Sequence, residues 1–482
     1  MSIAERGSLA IGPELARFGD HEDKSVYEGR FFSNKAPGLS FAAVPVYGVV
    51  RLFTGPARPE NATRVFWLVR CGTVSVAVVL ALLALARRLA RTEAGSWTAA
   101  ILFASAFGTP LLVYARSFFS HAWTAALLYL AFECLHRAVE KPWHPALAGF
   151  LAGWAVLSEY PAALVAAILL VDAAWRRPWR RTAAFIAGAL PTAIALGLYD
   201  AACFAGPFDL SSAHEWYRPF ARLSRGKIFG FALPSPKTAL WFLVSPSRGV
   251  LFQSPFLLLL PAALAGRTRD RAIRVSIGSV ALLFAAMCCY ENWHGGWALG
   301  SRYLVPVLFF ALWPLGFAAR ESKAARILFA GAAVYSGIFF LWSTSTFWLY
   351  PADPLNAPRF FTAWYLSHGW FVPTLAGSTL AGVIVLGAAT AIAGAAALRP
   401  LLRNGSEAAM AILSGMAAFA LVFAGPPPRG SFEERLTRVR ALESFTPLDP
   451  ARRELLTMGS EAETESDRRA WERTVAHYLR PR

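Results

Sequence analysis

A lysine and two aspartates near the start of the chain form a first group of residues suited to phosphate and proton chemistry. Lys35 precedes a Pro-Gly turn, and Asp20 and Asp23 lie just upstream in the segment ARFGDHEDKSVYEG. A lysine held at such a turn beside an apolar run suits a phosphate, because ammonium–phosphate contacts are strong where water is scarce. A nearby carboxylate can take a proton from an acceptor hydroxyl, which makes Asp20 and Asp23 the candidate catalytic residues. The plainer interpretations are a lysine that extends toward lipid headgroups and a solvated acidic loop.

A second group lies in the loop ENWHGGWALGSRYLVP, which holds His294, Trp297 and Arg302. Aromatic faces bind sugar rings, and an arginine at the start of a helix can hold a phosphate. The alternative is an aromatic belt at a membrane interface with one cationic anchor. The paired glycines and His294 favour a binding loop, since a belt needs neither.

Three further candidates for substrate binding lie in separate loops. Arg116 and His121 stand at the mouth of a predicted helix in ARSFFSHAWTAALL, and Glu215 belongs to GPFDLSSAHEWYRPF. Ionisable side chains in a membrane segment are functional candidates by default. The alternatives are a histidine that caps a helix and a glutamate on a solvated surface. Glu159, in the short SEYP break, is either a buried acid or part of a capped turn.

The elements that position these residues are predicted from the composition. The 482 residues have a mean hydropathy of +0.43, and 16% of them are charged, against about 25% in a soluble domain. Apolar runs long enough to cross a bilayer recur along the chain. The net charge of +17 sits in short clusters between these runs, which favours membrane topology over nucleic-acid binding. The five cysteines show no zinc-ligand spacing.

The sequence therefore predicts an all-α polytopic membrane protein with about 12 transmembrane or half-membrane helices. Between residues 145 and 175 the apolar run is too long for one helix, and SEYP divides it into two pieces. The other predicted spans are 66–87, 96–114, 118–136, 182–205, 250–265, 273–290, 303–319, 327–344, 371–397 and 407–424.

Charge places the loops on two faces of the membrane. The basic clusters fit every second loop, and the positive-inside rule makes their face cytoplasmic; they are 86–91, 136–141, 175–181, 267–274, 319–326 and 398–403. The remaining loops are expected on the opposite face, and they carry all the candidate residues above. The predicted chemistry is therefore gathered on the outer face.

Three regions are predicted along the chain. Residues 1–64 form an outer-face loop with an interfacial helix near 37–53, residues 65–424 form the transmembrane domain, and residues 425–482 form a small helical tail on the outer face. An outer N-terminal loop requires an earlier crossing, so we expect a further helix upstream of residue 1.

Five motifs, all predicted on one face, together resemble the GT-C superfamily of membrane glycosyltransferases. The resemblance is to bacterial relatives of protein O-mannosyltransferases and lipid A aminoarabinose transferases, and it runs from about residue 2 to residue 424. The motifs are YEGRFFSNKAPGLS, SFFSHAWTAALLYLAFE, FDLSSAHE, LVSPSRGVLFQSP and WHGGWALGSRYLVP. The resemblance implies a GT-C-like helical bundle with outer-face loops.

The resemblance also implies an activity. The donor would be a sugar on a polyprenyl phosphate, and the acceptor a glycan, a lipid or a protein at the outer face of the cytoplasmic (inner) membrane, on the periplasmic or extracellular side. Lys35 and Arg302 would bind the lipid phosphate, and an acid in the first outer loop would act as general base. In relatives that acid lies upstream of a segment like SIAERGSLAI, with which this chain begins, so Asp20 or Asp23 would have to replace it. Some relatives use a divalent cation, for which the sequence offers no clear ligand set.

Two other functions remain open at this point. A transporter or flippase would place charges near the bilayer midplane and often shows internal repeats, whereas here the polar groups cluster on one face. A non-catalytic glycolipid-binding relative would keep the phosphate site without the base.

Overall fold

The computed structural model describes residues 1–21, 23–92, 95–137, 141–175, 178–217, 230–296, 298–318, 322–345, 380–423, 458 and 464–478. Within these ranges the chain is mostly helical, and its two strands form one small hairpin. The prediction of an all-α polytopic fold is therefore confirmed. Most of the predicted tail, 425–482, lies outside the described residues.

The helices of the first half carry the labels α1 to α11. They are α1 (Ser2–Arg6), α2 (Gly12–Phe18), α3 (Gly38–Thr54), α4 (Ala62–Arg70), α5 (Val76–Arg91), α6 (Thr98–Phe107), α7 (Leu111–Ala115), α8 (Ser120–Leu135), α9 (His144–Ser158), α10 (Ala162–Trp175) and α11 (Pro178–Cys203). A π-helical turn, Cys71–Ser75, joins α4 to α5. The strands β1 (Lys24–Tyr27) and β2 (Arg30–Ser33) lie between α2 and α3.

The second half of the chain contains longer helices separated by short ones. The α-helices are Pro236–Val244, Val250–Gln253, Leu260–Leu264, Arg271–Cys288, Leu308–Leu312, Lys323–Thr344, Leu380–Leu398, Gly405–Phe423 and Glu465–Tyr478. The 3₁₀ segments of both halves of the described chain are Gly95–Trp97, Ser211–His214, Pro255–Leu259, Arg302–Val307, Trp313–Phe317 and Arg399–Leu401. The last α-helix lies within the predicted helical tail.

Six helices of the described chain are long and apolar enough to cross a membrane. They are 62–91, 179–203, 271–288, 323–344, 381–401 and 405–422. Six shorter apolar helices accompany them, at 38–54, 98–107, 144–158, 162–175, 255–264 and 302–317. The predicted break at SEYP is present, since α9 ends at Ser158 and α10 begins at Ala162. The chain is an integral membrane protein.

Three of the predicted continuous spans are instead broken helices. The span 96–114 divides at Pro110, the span 250–265 at Pro255, and the span 303–319 contains 3₁₀ turns around Pro306 and Pro314. Proline has no backbone N–H and its ring clashes with the preceding turn, so a continuous α-helix cannot form there. The prediction of single helices was wrong here because hydropathy alone gave too little weight to these prolines.

Helices α9 and α11 pack with their backbones in close contact. A Cβ atom added to Gly149 would lie 1.8 Å from the carbonyl oxygen of Phe185, and one added to Gly188 would lie 1.8 Å from that of Ala146. Small residues allow such close approach between membrane helices. The two glycines therefore fix the distance between α9 and α11.

The substitution Gly149→Ala is expected to lower the thermal unfolding midpoint in detergent. The new methyl group meets backbone that cannot move aside alone, and overpacking of this kind costs about 1–3 kcal/mol. Gly387→Ala is the matched control, because a Cβ at that helical glycine has nothing within 4 Å. Equal unfolding midpoints for the two variants would contradict the close packing.

Buried ion pairs connect helices at the end of the bundle that carries the predicted cytoplasmic basic clusters, here called the basic end. Arg88 pairs with Glu133 there, and Arg326 lies 3.4 Å from Glu407. Asp172 accepts a hydrogen bond from Arg271 and lies 3.2 Å from His136. Several clusters that the charge pattern placed on one face thus do lie together. The loops at the opposite end, here called the loop end, carry the candidate site.

Candidate functional site

The β1–β2 hairpin positions Lys35 at the loop end. Its two-residue turn, Glu28 and Gly29, has both φ angles positive, at 48° and 74°, as expected for the tight turn that suits strand twist. The hairpin is tied to the segment after α11, because the Ser25 hydroxyl donates to the Ser211 carbonyl at 2.7 Å. The Trp216 amide donates to the Lys24 carbonyl at 3.0 Å. Two distant parts of the chain therefore form one support for Lys35.

Lys35, Asp23 and Glu215 lie in one polar cluster on this support. The Lys35 ammonium is 2.9 Å from Asp23 Oδ1, and both side chains are more than half exposed, at 60% and 55%. The buried Asn34 amide donates to both Glu215 oxygens, at 3.0 and 2.9 Å, and lies 3.4 Å from Asp23 Oδ1. The structure thus brings together three of the residues singled out from sequence, and adds Asn34 as the link that the sequence did not reveal.

The two acids of this cluster have opposite pKa shifts. Burial raises the pKa of Asp23, but the charge of Lys35, hydrogen bonds from Lys35 and Asn34 and the charge of Arg302 outweigh it and hold the pKa below its ordinary value. Burial raises the pKa of Glu215, and the hydrogen bond from Asn34 and the charge of Lys35 offset this only in part. Asp23 is accordingly the poorer proton acceptor and the better counter-ion.

Arg302 faces the same cluster from a different part of the chain. Its Nη2 atom donates to the Tyr303 hydroxyl at 3.1 Å, and its guanidinium carbon lies 5.0 Å from the centre of that ring. Gly295 allows the close approach: its φ is 71°, and a Cβ there would lie 2.5 Å from Arg302 Nε. The buried Nε atom has no hydrogen-bond partner among the described residues. Since Arg302 also acts on the pKa of Asp23, the cations of Lys35 and Arg302 lie within electrostatic reach of one carboxylate.

Arg248 shapes the loop that precedes Arg302. Its side chain is buried, and it donates to the carbonyl of His294 at 2.8 Å, of Gly296 at 2.9 Å and of Ala298. A planar guanidinium can bridge several carbonyls in this way, which a lysine cannot. The segment SPSRGV belongs to one of the five sequence motifs, but the role of Arg248 could not be predicted from it, because the partners of Arg248 lie almost 50 residues later.

His294 is a neutral ring in this loop. Burial, together with the charges of Arg248 and Arg302, lowers its pKa to about 4. Its Nδ1 atom accepts the Gly296 amide at 2.9 Å. A neutral imidazole does not add a third positive charge to the site, so its contribution to binding would be hydrogen bonding.

His121 and Glu159 form a second polar pair at the loop end. The His121 Nδ1 atom contacts Glu159 Oε1, and the two side chains are only 7% and 11% exposed. The His121 ring packs against Tyr114 and Tyr303, with ring centroids 5.3 and 5.8 Å apart. Tyr303 also contacts Arg302, so one tyrosine connects the His121–Glu159 pair with a candidate phosphate-binding residue. Both interpretations left open for Glu159 apply, because its side chain is nearly buried and its backbone caps the end of α9.

Two other candidate residues, Asp20 and Arg116, lie apart from these two groups. Asp20 is 69% exposed and contacts the buried Lys24 rather than Lys35. Arg70 donates to the Arg116 carbonyl, and no described acidic residue pairs with the Arg116 guanidinium. Burial and the nearby charge of Arg70 lower the pKa of Arg116. Trp297 lies outside the described residues.

No group of three or more His, Cys, Asp or Glu side chains in the described part of the chain is arranged to hold a metal ion. The residues present offer cations, tyrosines and isolated acids instead. The chemistry open to this arrangement is therefore binding of an anion by Lys35 and Arg302 and proton transfer by one of the acids or by His121.

Solved structures of two other proteins align with most of this chain. ArnT from Cupriavidus metallidurans in the apo state aligns over 92% of this chain and 74% of its own, with 13% identity and a TM-score of 0.46. The same protein bound to undecaprenyl phosphate aligns over 89% and 73%, with 13% identity and a TM-score of 0.44. The apo oligosaccharyltransferase of Archaeoglobus fulgidus aligns over 89% and 52%, with 13% identity and a TM-score of 0.40.

These solved structures belong to the GT-C superfamily, the group that the five sequence motifs resemble. No protein-family model and no curated protein sequence matches the chain. The likeness concerns the course of the backbone, so the function is argued from the side chains of the loop end.

Proposed function

We propose that the protein is a glycosyltransferase that moves a sugar from a polyprenyl-phosphate donor to an acceptor at the loop end of the bundle. The observation that carries the proposal is the 2.9 Å contact of Lys35 with Asp23, a carboxylate whose pKa the charge of Arg302, 267 residues later in sequence than Lys35, also lowers. Two cations at the surface of an apolar bundle suit a phosphate joined to a long apolar chain. The loop end would be the outer face of the cytoplasmic membrane.

The Asp23 carboxylate supports this assignment because it resembles a phosphate in charge and in oxygen donors. It contacts Lys35 at 2.9 Å and lies within the field of Arg302. An incoming phosphate would replace Asp23 as the partner of Lys35 and would lie within reach of the charge of Arg302. In this arrangement Asp23 keeps Lys35 paired when the site holds no lipid.

The proposed reaction is a direct displacement at the anomeric carbon of the sugar. The acceptor oxygen forms a bond to that carbon while the bond to the lipid phosphate oxygen breaks. Negative charge grows on the departing phosphate, and Lys35 and Arg302 stabilise it where it develops. Tyr290 and Tyr303, whose ring centroids are 5.4 Å apart, offer aromatic surface to the sugar beside Arg302.

The proposal is tested with purified protein and undecaprenyl phosphate carrying ¹⁴C-labelled sugars. Membranes from a strain that lacks the gene for this protein supply the unmodified acceptor. A transferase moves label from the polyprenyl lipid into a new product. A flippase moves the labelled lipid across a vesicle membrane without forming a product, and a binding scaffold retains it unchanged. Either of these two results, across a panel of hexoses and aminopentoses, would overturn the proposal.

The substitution Asp23→Asn is expected to strengthen binding of undecaprenyl phosphate about 3- to 10-fold, which corresponds to about 1 kcal/mol. The neutral amide no longer competes with the phosphate for Lys35. Asp209→Asn is the matched control, because Asp209 is a partly exposed acid that pairs with His214 rather than with Lys35. Binding is measured with fluorescent undecaprenyl phosphate in detergent.

The same variant tests the catalytic role that the sequence assigned to Asp23. If Asp23 is mainly a counter-ion, transfer by Asp23→Asn at saturating donor remains within about 10-fold of the wild type. A fall of 10²-fold or more, with unchanged lipid binding, is what loss of a general base would give.

A further inference from the structure

The His121–Glu159 pair has the arrangement of a histidine whose tautomer is set by a carboxylate. Glu159 contacts Nδ1 of the ring, and no described residue hydrogen-bonds to the remaining nitrogen, Nε2. The carboxylate keeps its second oxygen, Oε2, buried and without a hydrogen-bond partner among the described residues. A carboxylate on one ring nitrogen fixes the orientation of the ring and leaves the other nitrogen to exchange a proton.

The break between α9 and α10 places Glu159 in this contact. The helix α9 ends at Ser158, and Glu159 takes an extended conformation with φ −160° and ψ 107°. Pro161, two residues later, cannot continue the α9 hydrogen-bond pattern, and the Ala162 amide donates to the Glu159 carbonyl at 2.9 Å as α10 begins. Next to it, the Trp123 indole donates to the Ser158 hydroxyl at 3.1 Å, which ties α8 to the same break. The acid is therefore held by backbone geometry on both sides.

The charged and titratable groups that face His121 come from three neighbouring elements. Glu159 follows α9, Tyr114 belongs to α7, and Tyr303 begins the 3₁₀ segment with Arg302 beside it. Glu159 is the acid in this set, so it is the group that balances an imidazolium. The two tyrosines pack against the His121 ring. Because Tyr303 also contacts Arg302, the His121–Glu159 pair lies next to the proposed phosphate site.

We propose that His121, oriented by Glu159, accepts the proton of the acceptor during glycosyl transfer. This inference rests on the proposed function and assigns the proton to a group other than Asp20 or Asp23. A general base works best when its pKa lies near the working pH, which is the range of histidine. Asp23 is engaged with the cations that hold the leaving phosphate, so a base outside that cluster separates the two tasks.

The step is balanced in atoms and charge. The acceptor O–H bond breaks, its oxygen bonds to the anomeric carbon, and its proton moves to Nε2 of His121. The bond between the anomeric carbon and the phosphate oxygen breaks, and its electron pair leaves with the polyprenyl phosphate. The imidazolium then returns its proton to solvent or to the departing phosphate.

The test compares three glutamine variants over a range of pH. In the labelled-sugar assay, His121→Gln is expected to lower kcat/KM by about 100-fold or more and to remove the fall in activity toward acid pH. Glu159→Gln keeps the shape of the side chain, so it is expected to lower kcat/KM about 10-fold and to move that fall to lower pH. Binding of undecaprenyl phosphate stays within about 2-fold in both variants.

His136→Gln is the matched control, because it also removes a buried histidine–carboxylate contact, at the residue that caps the end of α8. His136 lies 3.2 Å from Asp172 at the basic end, about 22 Å along the helix from His121. It is expected to lower the unfolding midpoint and to keep the wild-type pH profile. A structural role for His121 predicts the same behaviour for all three variants.

The outcomes separate the two proposals. If the wild type transfers no sugar, the proposed function fails and this inference fails with it. If the wild type transfers sugar and His121→Gln keeps the acid limb of the profile, only the inference is overturned. Should His121→Gln not fold, Glu159→Gln decides alone: an unchanged pH profile overturns the inference, and a shifted one supports it.

Discussion

The substitution Lys35→Met is expected to weaken binding of undecaprenyl phosphate by about 10- to 100-fold and to reduce glycosyl transfer by about 10³-fold. A charge-assisted contact to a phosphate contributes about 1.5–3 kcal/mol to binding. The effect on transfer is larger because the charge on the leaving phosphate grows as the bond to the sugar breaks. Equilibrium binding in detergent and initial rates with labelled donor measure the two effects separately.

The matched control for this variant is Lys237→Met. Lys237 is also exposed and lies at the beginning of the helix Pro236–Val244, outside the cluster around Asp23. It tests whether loss of one positive charge anywhere on the protein weakens attraction to an anionic lipid. Equal effects of the two substitutions would mean that Lys35 does not contact the phosphate.

The substitution Arg302→Met is expected to reduce transfer by about 10²- to 10³-fold, with about 10-fold weaker lipid binding. Loss of the guanidinium removes the second cation from the developing phosphate charge. Arg302→Lys is expected to recover only part of the rate, because a lysine keeps the charge but not the planar fork held against Tyr303. Arg58→Met, which removes an exposed arginine after α3, serves as the control.

A double substitution distinguishes one phosphate site from two. If Lys35 and Arg302 bind the same phosphate, the binding losses of the single variants do not add in the double variant. If they lie on separate sites, the losses add within about 0.5 kcal/mol. Additive binding losses would contradict a single phosphate site formed by Lys35 and Arg302, on which the proposed transferase activity depends.

Helix content and position were largely predictable because the bilayer imposes a length on each apolar run. The span predicted at 273–290 appears as Arg271–Cys288, and the span at 327–344 as Lys323–Thr344. The errors fall where proline interrupts an apolar run, as at Pro110 and Pro306. The mean hydropathy of a segment takes no account of the backbone N–H that proline lacks. A continuous helix depends on that hydrogen-bond donor.

The site was predictable in part. A lysine at a Pro-Gly turn and an arginine after paired glycines could each be singled out from local sequence as a candidate phosphate ligand. The pairing of Asp23 with Lys35 could not be assigned from spacing alone, because several acids in the same loop were equally placed. His121 and Glu159 are 38 residues apart, and only the tertiary packing of α8 against the end of α9 brings them together.

The contrast between the two proposed phosphate ligands has a consequence for turnover. The Lys35 side chain is 60% exposed, whereas Arg302 rests on Tyr303 and against Gly295. Ordering a free lysine side chain costs up to about 2 kcal/mol, while a supported guanidinium loses little further freedom. The mobile lysine side chain would thus bind an incoming lipid headgroup and release the polyprenyl phosphate after transfer. The arginine would fix the position of the phosphate during the reaction.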